Sequence, residues 1–122
     1  MKKLLTVVAI LTATLFATIN ANNTSGNKTV KEYDDGQHLQ NNIYLYYGKT
    51  ITYDNDGRVI YESDWDCYKF VNHNRQGFYE VCYKCKNERD SYCTGTISPG
   101  NTSGTIGMSK GHFVSEYEVI RK

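Results

Sequence analysis

Beyond Ala21 the chain contains no alanine, and the only leucines there are Leu39 and Leu45. A segment so poor in the strongest helix formers has to build its regular structure from something else. What it offers is 11 Tyr with Ile, Val, Thr and Phe, in short runs separated by Gly, Asn and Asp clusters. β-branched and aromatic residues fit a pleated, half-buried surface, and such runs recurring every ~8–12 residues are the signature of an all-β domain. Strands are predicted over residues 43–47, 50–53, 58–62, 65–71, 78–84, 92–97 and 113–120. Residues 98–111, with Pro99 and glycines at 100, 104, 107 and 111, read as a loop in which Ile106 and Met108 supply a short edge strand. The expected fold is a small antiparallel sandwich or open barrel built from hairpins, stapled by two disulfides, over residues 43–122.

The alanines sit in a different kind of segment. Residues 1–21 begin with Lys2 and Lys3, continue as an apolar run and end at Ala21, the layout of a secretory signal peptide. The run is interrupted by threonines and falls short of the ~20 apolar residues of a membrane span. No stable membrane anchor is expected after cleavage, and the mature chain is expected to be secreted, extracellular or periplasmic. Residues 22–42 are rich in Asn, Thr, Gly, Lys and Asp and read as a flexible polar leader.

Without its signal the chain has 12 basic and 13 acidic groups, a formal charge of −1, since 2 of the 14 basic groups are Lys2 and Lys3. That balance lacks the basic field on which non-specific nucleic-acid binding depends.

Export governs how Cys67, Cys82, Cys85 and Cys93 are read, because thiols outside the cytosol usually end as disulfides. If Val71 faces Phe78 in a hairpin, Lys69 faces Glu80 and Cys67 faces Cys82. Charge and sulfur then agree on one register. Cys67 is expected to bond Cys82, leaving Cys85 to bond Cys93. Cys82 and Cys85 are three apart and point to opposite faces of a strand, so they do not pair. A zinc site from these cysteines, or three of them with His73, is the competing reading; it lacks the second knuckle of a zinc ribbon. No metal and no cofactor is expected.

The turn Asp54-Asn55-Asp56-Gly57 joins two strands, Gly57 supplying the positive backbone angle. A four-residue loop opposes Lys49 to Glu62 and Ile51 to Ile60; a three-residue loop ending at Gly57 shifts the partners by one. Read as a calcium loop, the same stretch puts Thr52 and Ser63 where acidic ligands are required.

Aromatic residues suggest where function resides. The run Tyr44-Leu45-Tyr46-Tyr47 must send rings to both faces of its strand, and exposed Tyr and Trp near Arg is the composition of recognition surfaces. The candidate binding residues are Trp65, Tyr46, His73 and Arg75, for a protein or glycan partner. The leading expectation is therefore a non-catalytic interaction module. Its rival is a small secreted hydrolase, nuclease-like, with His112, His73, Arg75 and Glu80 as general acid, base and phosphate-holding groups. Among the Asn-x-Ser/Thr sequons, Asn27 and Asn101 are the expected glycosylation sites in a eukaryotic setting.

Overall fold

In the computed structural model, which describes residues 26–122, regular structure is β throughout. The expected signal peptide, residues 1–21, lies outside the described residues. The strands are β1 (Lys28–Tyr33), β2 (Gln37–Gln40), β3 (Ile43–Tyr53), β4 (Val59–Glu62), β5 (Cys67–Asn72), β6 (Tyr79–Cys85), β7 (Ser91–Ile97), β8 (Ile106–Gly107) and β9 (Val114–Arg121). Six of them form one antiparallel sheet with the path β1-β3-β5-β8, β2 and β4 also pairing with β3; β7-β6-β9 form a second.

The larger sheet is organised by β3, whose 11 residues are long enough to be shared along both edges. One edge takes β2 and β1; the other takes β5 and β4. Sequence reasoning divided this strand at Gly48. The chain nevertheless runs straight through, because the glycine is needed for close approach: a Cβ there would lie 2.7 Å from the Tyr33 ring and 2.8 Å from Cys67 Sγ.

Alternation sorts the side chains. Ile43, Leu45 and Leu39 join Tyr68 and Phe70 of the larger sheet against Tyr79, Val81, Tyr83, Cys85 and Ile97 of the smaller one, forming a single core. Aromatic rings share the core with the aliphatic side chains. Tyr68, Phe70 and Tyr83 meet with ring centroids 5.0 to 6.0 Å apart, within the range where aromatic pairs add to area burial. The buried hydroxyls are joined by a hydrogen bond, Tyr68 O–H donating to Tyr83 Oη at 3.0 Å. Burial and that bond push the Tyr68 hydroxyl far above its usual pKa.

Residues 28–40 are not a flexible leader. β1 pairs with the second half of β3, Lys28 opposite Tyr53 through Tyr33 opposite Gly48, and β2 buries Leu39. The β2–β3 hairpin turns on Asn41 (φ 49°) and Asn42 (φ 57°), the paired positive angles of a type I′ turn, which Asn tolerates.

The turn at Asp54 follows the three-residue reading. Asp54 N–H donates to Arg58 O at 2.9 Å and Gly57 has φ 85°. A bulge then shifts the register, so that Tyr53 faces Val59 while Thr52 faces Tyr61 and Ile51 faces Glu62. Lys49 still reaches Glu62, diagonally, as an ion pair.

The expected hairpin from Cys67 to Cys82 does not form, because β5 and β6 belong to different sheets. The connection between them crosses over, held by the buried Asn72, whose Nδ2 donates to Gly77 O at 2.9 Å and Ile97 O at 3.0 Å. Strand β6 pairs instead with β7, which places Cys82 directly opposite Cys93. These two form the disulfide, with a Cα–Cα distance of 4.0 Å. Both expected pairings, Cys67 with Cys82 and Cys85 with Cys93, are thereby corrected: among the described residues there is one disulfide, and Cys67 and Cys85 are buried free thiols. The physical reason is facing. In β6 Tyr79, Val81, Tyr83 and Cys85 point into the core and Cys82 points out, so Cys85 cannot meet the outward Cys93. The expected Lys69–Glu80 pair is absent for the same topological reason; Glu80 is paired with Lys122 at 3.1 Å. A disulfide here is compatible with an oxidising compartment.

Candidate functional site

On the side of β3 facing away from the core, alternation brings Tyr44 and Tyr46 to the surface, half-buried, while Ile43 and Leu45 point inward. Their neighbours across the sheet complete an aromatic face. His38 of β2 lies opposite Tyr44 and Lys69 of β5 opposite Tyr46. The Tyr44 and Tyr46 rings stack with centroids 6.2 Å apart, and Tyr44 also meets His38 at 5.2 Å and, edge-on, His73 at 5.0 Å.

His73 is delivered to this face by the loop that follows β5. The loop is pinned by Asn72, whose Oδ1 accepts the Asn74 N–H at 2.9 Å, and by the His73 N–H donating to Asn42 O at 2.9 Å. The His73 Nε2 and Tyr46 hydroxyl then lie 2.7 Å apart in a hydrogen bond. Tyr33 closes the other side. It lies across Gly48 with its hydroxyl 2.8 Å from Thr105 Oγ1, and the Lys69 ammonium sits 4.0 Å over its ring and 6.0 Å from the Tyr46 ring. Such cation–π contacts hold a lysine without a carboxylate partner.

The Tyr46 ring rests on the β1–β2 connection. A Cβ at Gly36, where φ is 90°, would fall 2.5 Å from the ring. This turn is held by Asp34, whose Oδ1 accepts the N–H of Gly36 at 3.1 Å and of Tyr47 at 3.0 Å. Burial raises the Asp34 carboxyl above its ordinary pKa against the lowering effect of those bonds. Burial likewise raises the Tyr46 hydroxyl, with smaller contributions from Tyr44 and Asp34, and burial raises that of Tyr33. The face is therefore built of phenol and imidazole rings around one ammonium.

Of the four expected binding residues, Tyr46 and His73 are in direct contact, and Arg75 stands exposed two residues further along the same loop. Trp65 is elsewhere: it packs under Lys49, whose ammonium is 4.7 Å from the ring, on the opposite face of β3 from Tyr46. Tyr33, Tyr44, His38 and Lys69 were missed by sequence reasoning. Tyr44 was signalled by its two-residue spacing from Tyr46; Tyr33 and His38 depended on β1 and β2 being strands, and Lys69 on β5 pairing with β3.

The expected catalytic set is dispersed. His73 belongs to the aromatic face, whereas Glu80 lies on the outer face of the smaller sheet, bonded to Lys122 and to the Gly95 N–H. Glu80 is close to Cys82 and Cys93, but both sulfurs are in the disulfide. His112 lines a separate cleft of about 290 Å³ with Tyr68, Tyr83, Cys85, Tyr92 and Glu88. There its Nδ1 is 2.7 Å from Glu88 Oε2, a partner that sequence reasoning did not name. The Cys85 thiol in this cleft is pushed up by burial, which keeps it protonated and a poor nucleophile.

No protein-family model matches the chain, and neither the characterised proteins nor the solved structures contain a significant match.

Proposed function

We propose that this protein is a secreted or periplasmic, non-catalytic binding module that holds a neutral glycan on the outer face of its larger sheet. The two sheets, sharing one core, are read as the layers of a small sandwich. The carrying observation is the Tyr44–Tyr46–His73 cluster, half-exposed and locked by the 2.7 Å Tyr46–His73 bond. Tyrosine offers a flat apolar ring beside a polar tip at low entropic cost, which suits a sugar ring with one C–H face and peripheral hydroxyls. A near-neutral mature chain, with the Lys69 ammonium of this face held over the Tyr33 ring, favours a neutral ligand over a polyanion. Exposed Asn27 and Asn101 stay available for glycosylation in a eukaryotic host.

The test is a glycan array probed with the mature protein and with Tyr46→Ala, His73→Ala and Trp65→Ala variants. Binding should fall at least about tenfold for the first two, as for residues central to an interface, and be unchanged for the third. Equal loss from Trp65→Ala, or binding only to immobilised protein, would overturn the glycan reading.

A second reading, hydrolysis, is favoured by the His112–Glu88 pair in its cleft, an imidazole with an orienting carboxylate. Hydrolysis of single-stranded RNA or a phosphodiester ester, lost in His112→Ala and retained in Tyr46→Ala, would decide for it.

A further inference from the structure

The outer face of the smaller sheet carries a cluster in which the aromatic face has no part. Alternation along β6 puts Glu80 and Cys82, two residues apart, on the side away from the core, and Cys93 of β7 lies directly opposite Cys82. A carboxylate oxygen of Glu80 and the sulfurs of Cys82 and Cys93 all lie within 4.8 Å of one another. Glu118 of β9 faces Cys82 from the other neighbouring strand, and directly opposed residues share a face, so a second carboxylate stands on the same side. The nearest cations are spoken for: Lys122 is bonded to Glu80 at 3.1 Å, and Lys84 is opposed by Glu116.

We propose that the reduced form of the Cys82–Cys93 bridge is a zinc site, with Cys82, Cys93 and Glu80 as ligands and water in the fourth position. Cys93 is exposed, so the thiolate of a dithiol reaches its sulfur, and exposed disulfides are the labile ones. The exchange balances: the bridge takes two electrons and two protons from the dithiol, which closes to its own disulfide. Zinc then displaces both thiol protons. Two thiolates with a carboxylate suit this borderline-soft ion, whereas copper(I) favours sulfur throughout and calcium or magnesium oxygen throughout. Tetrahedral bonds of ~2.3 Å to sulfur set two sulfurs about 3.8 Å apart. With the Cα atoms 4.0 Å apart, side-chain rotation supplies that opening and the strands stay where they are. Lys122 holds one oxygen of Glu80, which orients the carboxylate and leaves the other oxygen for the metal.

The bond and the metal tie β6 to β7 at the same point. Zinc therefore restores the cross-link that reduction removes, and the smaller sheet stays clamped in oxidising and reducing surroundings alike. Nothing in this rests on the glycan reading, which concerns the larger sheet.

The experiment is zinc binding by the mature protein after reduction with a phosphine, which cleaves the bridge and adds no thiol of its own. A competing chromogenic chelator gives the affinity and native mass the stoichiometry. Reduced wild type should take one zinc per chain with release of two protons, and the oxidised protein none. Glu80→Gln should weaken binding at least about tenfold, since losing even the partner of a ligand costs that much. Cys93→Ser, which keeps Cys67 and Cys85, should bind no zinc. At about a hundred times its Kd, zinc should raise the Tm of the reduced protein by roughly 10 °C and leave that of the oxidised protein unchanged. A reduced wild type without zinc, an oxidised protein or Cys93→Ser variant that binds as well as the reduced wild type, or undiminished binding by Glu80→Gln would each overturn the proposal. Glu80→Gln alters an outer-face side chain and keeps all four cysteines, so that arm decides even where Cys93→Ser fails to fold.

Discussion

Replacing Cys82 and Cys93 together by alanine tests the disulfide connectivity and its energetic role at once. The bridge closes a loop of sequence separation 11. On the chain-entropy model, removing that constraint from the unfolded ensemble costs about 3 kcal/mol. Little native packing is lost, since Cys93 is exposed and Cys82 points away from the core. For a domain whose total stability is about 5–15 kcal/mol this is a large fraction, equivalent to a fall in Tm of roughly 15 °C. Urea unfolding of wild type and variant, compared at their midpoints, measures it. Intact mass supplies the independent arm. The wild type should be lighter than its fully reduced form by two protons, with Cys67 and Cys85 titrating as thiols only once the chain is unfolded, because both are buried. A difference of four protons would refute the reasoning, as would a double variant as stable as the wild type.

Two further outcomes follow from single contacts. Gly48→Ala should destabilise by about 2 kcal/mol, as overpacking does, because its Cβ would sit 2.7 Å from the Tyr33 ring and 2.8 Å from Cys67 Sγ; a variant of wild-type stability by thermal melting would show that Tyr33 does not lie across Gly48. Burial opposes ionisation of Asp66, but hydrogen bonds from Lys31, Thr50 and Ser63 outweigh it and hold the carboxyl at about 2, below its ordinary 3.8. A folded-state pKa that is depressed stabilises above the unfolded value and is lost as pH falls through the folded one. Asp66→Asn should therefore flatten the fall in stability between pH ~4 and ~2, seen in urea midpoints across that range.

The seven runs expected over residues 43–120, the first two of them joined in β3, were legible because each carries β-branched and aromatic residues between turn residues. Even the short Ile106 strand was signalled within its glycine-rich loop. β1 and β2 were not, because Lys28–Tyr33 and Gln37–Gln40 are largely polar and exposed on one side. Their strand character comes from lying against β3, a partner that local composition does not encode. The Asn41-Asn42 pair was the available clue, and it was absorbed into the polarity of the segment around it. The cysteine pairing failed on a similar point. A hairpin register was assumed between β5 and β6, which are adjacent in sequence and separated in space by a crossover pinned at Asn72. Within the candidate site, Tyr46 and His73 could be named from residue type, but their contact depended on that same crossover and on the Asn41-Asn42 turn.

Side-chain facing links these outcomes. The rule that excluded a Cys82–Cys85 bond also sends Cys85 inward with Tyr83 and leaves Cys82 outward to meet Cys93. Applied to β3, it divides one aromatic run into Tyr47, which turns toward the core and packs on Tyr68, and Tyr44 and Tyr46, which do not. An alanine-free chain has few small residues with which to bring its backbones together. The glycines at 36 and 48 take that part beneath Tyr46 and Tyr33. The surface rings are thus seated as closely as core residues while staying accessible to solvent. Packing alone does not require Tyr44 and Tyr46 to be half-exposed beside the exposed His73, and stability alone would be served by Thr or Val at the two strand positions. Their arrangement as a row of rings bonded to His73 is the physical basis for reading this face as a binding surface.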